Sequence, residues 1–77
     1  MVSAAGVAAP VATIKAYRRK GGAIVAVERR GWPPRRYRIT LKRYHALREW
    51  AAFGQRSWKT SGAYMRSRMV VSLWPTH

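Results

Sequence analysis

The chain predicts an α+β domain, a small antiparallel sheet packed on one helix, and three observations carry that class. Two alternating, β-branched stretches flank the Gly21-Gly22 pair, the pattern of a hairpin. A third extended stretch follows the Pro33-Pro34 stop and runs into apolar residues spaced three and four apart, the period of a helix. The chain has 77 residues and is 48% hydrophobic, enough for one small core and too apolar for a disordered basic tail.

In order, residues 1–10 are small and apolar without periodicity. They are expected to form a flexible N-terminal arm, with 11–77 a single small basic domain. In strand 11–17, alternation puts Val11, Thr13, Lys15 and Tyr17 on one side and Ala12, Ile14 and Ala16 on the other. Arg18-Arg19-Lys20-Gly21-Gly22 reads as a turn, because glycine accepts positive φ. Residues 23–30 are short and β-branched, the second strand of the N-terminal hairpin. Gly31-Trp32-Pro33-Pro34 ends it, since proline lacks a donor and restricts the residue before it. The third strand is expected over 36–41. Tyr37, Ile39 and Leu41 are assigned to the core side, and Arg36, Arg38 and Thr40 to the other.

Thr40 is a candidate N-cap. From there Leu41, Tyr44, Leu47 and Ala51 make one apolar stripe, widened by Trp50 and Phe53. The helix is expected over 41–53, with Tyr44, Trp50 and Phe53 in the core and Gly54 as the left-handed residue that stops it. Residues 55–62 are polar and read as a loop exposing Trp58. Over 63–74, Met65, Ser67, Met69, Val71 and Leu73 alternate, and Val70-Val71 and Pro75 favour a further strand. Met65, Met69 and Leu73 stand four apart and leave a helix as the alternative.

The charge points to function. Sixteen Lys and Arg face two acids, Glu28 and Glu49, for a net charge of +14. Self-repulsion of that size destabilises a free compact chain, and a polyanion relieves it. Arginine supplies 12 of the 16 cations, and its planar fork suits phosphates and guanine edges. The cationic residues concentrate between Lys15 and Arg48, interleaved with Tyr17, Trp32, Tyr37, Tyr44 and Trp50. Basic residues contact phosphates and exposed aromatics stack on bases. The candidate nucleic-acid contacts are Arg18, Arg19, Lys20, Arg29, Arg30, Arg35, Arg36, Arg38, Lys42 and Arg43, with Trp32 and Trp58 as candidate stacking residues. Among them Arg36 and Arg38 are assigned to base edges, and Arg18, Arg19 and Lys20 to backbone clamping.

Other classes fit less well. Acid–base catalysis needs positioned carboxylates or histidines, and the chain has only Glu28, Glu49, His45 and His77. His45 and Glu49, one helical turn apart, read as a surface pair. There is no cysteine, no metal-ligand set and no phosphate-binding Gly-rich loop, so no enzyme, metal, cofactor or small-molecule substrate is expected. No apolar run approaches the roughly 20 residues that span a bilayer. A membrane-surface helix would need a cleaner amphipathic face than 41–53, where Arg43 and Arg48 border the apolar sector.

In element order, the chain loosely resembles the β-sheet DNA readers of integrase amino-terminal and plant AP2-type domains. That likeness implies a sheet face in the major groove, with Arg36 and Arg38 on it. Residues 36–41 also resemble the ribbon strand of ribbon-helix-helix repressors, and Leu47 to Gly54 with Arg56-Ser57 their first helix and turn, which implies a helix over 63–74. The function expected is nucleic-acid binding, DNA ahead of RNA, by a small intracellular regulatory or architectural factor of the phage or plasmid kind, cytoplasmic or nucleoid-associated, with homodimerisation allowed. The alternative is a structural subunit of a ribosomal-type, virion or other assembly, docking through its cationic surface.

Overall fold

The structure, a computed structural model, describes residues 9–54 and 58–75. It is an α+β fold with five strands. β1 (Ala12–Arg19) and β2 (Gly22–Arg29) form the first hairpin, and β3 (Arg35–Ile39) lies outside β2. The helix α1 (Leu41–Glu49) follows and continues as a π-helical turn, Trp50–Gly54. β4 (Trp58–Tyr64) and β5 (Arg68–Pro75) make a second hairpin, joined to the first because β5 pairs with β1. Every pairing is antiparallel and the order is β3-β2-β1-β5-β4.

Local chemistry explains the first half. The hairpin closes across Arg19 and Gly22, leaving Lys20 and Gly21 as the loop, and Gly21 takes a φ of 82° that side chains disfavour. At the start of α1, the Thr40 hydroxyl accepts from the Arg43 N–H at 3.1 Å, as an N-cap should. Ile39 and Tyr44 flank that cap at the hydrophobic-staple positions; Tyr44 is buried in the core and Ile39 packs against it.

Three expectations are corrected. Residues 58–62, read as loop, lie in β4, which pairs from Trp58–Pro75 to Tyr64–Met69. Trp58, Thr60 and Tyr64 favour a strand, but Lys59 and Ser61-Gly62-Ala63 do not, and the extended form is held by pairing with β5. The further strand expected over 63–74 is present as β5 from Arg68, with 63–64 ending β4 and a turn between them. The helical alternative there fails, and with it the ribbon-helix-helix likeness. Gly54 does not cap the helix in a left-handed conformation. It ends the π-helical turn, and the positive-φ glycines among the described residues are Gly21 and Gly31. Residues 55–57 of the expected loop and 1–8 of the expected arm lie outside the described residues. Ala9, near the end of that arm, accepts a 2.8 Å hydrogen bond from Arg30.

Register assigns each strand residue to a face. One face carries Ala16, Ala23, Val25, Met69, Val71 and Leu73, all buried, and α1 packs over it against β1 and β2. Tyr44 of α1 and Ala51 of the π-helical turn complete the core, with Ile14, Val27, Leu41, Leu47 and Trp50 packed around it. Arg48 stitches the layers together, donating to the Tyr44 hydroxyl at 3.1 Å and to the Met65 carbonyl at 2.6 Å. Two core assignments fail. Phe53 is 86% exposed and Tyr37 is 50% exposed. Tyr37 sits on the helix face, but on the edge strand beyond the cover of α1. Among the described residues, nothing covers the opposite face of the sheet.

Candidate nucleic-acid interface

The uncovered face is built in rows. Cross-strand partners share a face, so pairing of Arg38 with Ile24, Ile24 with Tyr17, and Tyr17 with Arg68 aligns these four side chains across β3, β2, β1 and β5. The row spans three strand spacings, about 14 Å, with a guanidinium at each end and a half-buried tyrosine inside. The next row is Arg36, Ala26, Lys15, Val70 and Ala63. Beyond it stand Glu28, Thr13, Ser72 and Ser61, then half-buried Trp74 beside Lys59.

Electrostatically the face is one-sided. Lys15, Arg19, Arg36, Arg38, Lys59 and Arg68 lie on it, and Glu28 is its single acid, 3.8 Å from Lys15. That pair is well exposed and worth little in stability, on the order of 0–1 kcal/mol. At the hairpin end, Arg19, Lys20 and Arg38 border a recess of about 90 Å³ floored by Gly21 and Gly22. Three cations around glycine backbone suit a phosphate, by charge and by close approach.

The structure thus joins some of the predicted residues and separates others. Arg19, Lys20, Arg36 and Arg38 converge on this face or its rim. Arg18 lies at the same tip but on the helix side by register. Lys42 and Arg43 are exposed on α1, behind the sheet. Arg29, Arg30 and Arg35 gather at the corner between β2 and β3. There the Arg29 guanidinium lies 5.2 Å from the centre of the Trp32 ring, and Trp32 is 60% exposed. Trp58 is on β4, at the far edge of the helix side. Sequence reasoning missed Lys59, Arg68 and Trp74 as parts of the face. The alternation over 63–74 already set Arg68 and Trp74 on one side, whereas Lys59 fell in the segment read as loop.

Among the described residues, no group of three or more His, Cys, Asp or Glu side chains could hold a metal ion, and no helix is long and apolar enough to cross a membrane. Compared with known proteins, the chain matches no protein-family model, no curated protein and no solved structure.

Proposed function

We propose that this protein binds nucleic acid through the uncovered sheet face, as a small regulatory or architectural factor acting on DNA inside the cell. One observation carries the reading: six cations and a half-buried tyrosine share an uncovered face with one acid. A solvated face with no partner has no need to exclude acids so completely, whereas a polyphosphate surface repels them. Arg19, Lys20 and Arg38 grip phosphate at the recess, and Arg36 and Arg68 extend the grip along the rows.

The test is a salt titration of duplex binding. With about six to eight phosphates neutralised, the affinity should fall with a log–log slope of roughly −5 to −7. A flat titration on both duplex and single strand removes the proposal. Tighter binding to anionic lipid vesicles than to DNA would transfer the cationic face to a membrane surface. The second reading, an assembly subunit, is favoured by one feature on the other side of the molecule: Phe53, Tyr64 and Met65 are exposed large apolar residues. A protein that is insoluble alone and becomes soluble only with a protein partner would support it.

A further inference from the structure

The corner where β2 turns into β3 holds a cleft of about 230 Å³, lined by Val27, Arg29, Trp32, Pro33, Arg35 and Tyr37. It lies on the helix side of the sheet, because Arg35 pairs with Val27 and Tyr37 with Val25. Its walls combine two exposed aromatic rings with two guanidinium groups. Pockets for drug-sized ligands run to about 300–1,000 Å³, so this one suits a single planar ring system. Pro33 and Pro34 stiffen one wall, and Gly31, at a φ of 80°, sets the turn that brings Trp32 back toward the strands. The Trp32 N–H donates to the Arg29 carbonyl at 3.1 Å, fixing the turn further.

We propose that this cleft takes one unpaired nucleobase, stacked on the Trp32 and Tyr37 rings, with Arg29 and Arg35 on the adjoining phosphate. The inference rests on the nucleic-acid reading and specifies the substrate as a strand with unpaired bases. Two physical arguments support it. An aromatic slot on the helix side of the sheet is out of reach of a duplex lying on the uncovered face, because paired bases are stacked inside their helix. Five strands span about 19 Å, wider than the roughly 12 Å major groove, so the sheet cannot sit in that groove face-on. A single strand has neither constraint. It can follow the edge strand β3, whose alternation places Arg36 and Arg38 on one side and Arg35 and Tyr37 on the other, from the phosphate recess to the cleft.

Equilibrium binding of the full chain to a short oligo-dT strand and to a duplex of equal length decides the matter, with Trp32→Ala and Tyr37→Ala beside the unaltered protein. The unaltered protein should prefer the single strand. Each substitution should weaken single-strand binding by about 5- to 150-fold and leave duplex binding within about twofold. Trp32→Phe, which keeps a ring, should recover most of the loss. Both positions are exposed, so the circular dichroism of the variants should match the parent. Equal losses on both substrates, or no loss on either, overturn the cleft assignment while the nucleic-acid reading stands. Failure of the unaltered protein to bind either substrate overturns both.

Discussion

Tyr44 and Phe53 show how far side-chain fate departs from side-chain type. Both are aromatic and nine residues apart, but Tyr44 stands in α1 and Phe53 in the π-helical turn that follows it. Tyr44 is fully buried and its hydroxyl accepts from Arg48, while Phe53 is 86% exposed. Tyr44→Ala should therefore cost about 3–5 kcal/mol, as deletion of a large buried ring does. Phe53→Ala should stay within about 0.5 kcal/mol. Urea denaturation of the two variants checks the contrast, and comparable losses would mean that Phe53 packs against something. The sequence stripe did identify Tyr44 and Ala51 correctly, because residues seven apart return to nearly the same side. At Phe53 the stripe runs into the π-helical turn, where α-helical spacing no longer sets the side a residue faces. Tyr37 failed for a different reason: its face was right, but facing the helix layer does not bury a residue the helix does not reach.

Among the elements, β3 has the most to do. It is an edge strand with three arginines in five residues, Arg35, Arg36 and Arg38. Charged edges also discourage pairing with other chains. If Arg36 and Arg38 read bases, the double substitution Arg36→Ala with Arg38→Ala should reduce discrimination between sequences, by about 1–3 kcal/mol per lost bidentate contact. A uniform loss across all sequences, measured by competition binding, would reduce both to phosphate contacts. β3 was legible in advance because Pro33-Pro34 bounds it and Thr40 caps the helix behind it. β1 and β2 were legible for similar local reasons, alternation and Gly21-Gly22. β4 was not. Between Trp58 and Tyr64 its residues are polar or small, and its strand state comes from pairing with β5. The π-helical turn after Glu49 was equally hidden, since its apolar spacing matches that of an ordinary helix end.

At the scale of the molecule, the class of fold was readable and the architecture of the site was not. Charge and composition announce a cationic surface, but only the register shows that β1, β2, β3 and β5 contribute to the same rows. Residues 53 positions apart, Lys15 and Arg68, become near neighbours on that face only because β5 returns to pair with β1. The whole arrangement then hangs on one junction. A Cβ added at Gly22 would stand 2.5 Å from the Ile39 carbonyl oxygen, a backbone atom that cannot swing aside. Gly22→Ala should thus push the end of β3 and the cap at Thr40 away from the hairpin, lowering stability. It should also weaken DNA binding at temperatures where the variant remains folded, with thermal unfolding and binding measured on the same sample. Unchanged values for both would show that the junction can relax. The protein therefore has a weak point where it has no side chain at all: a single missing methyl group sets how closely β3 and the cap at Thr40 approach the hairpin.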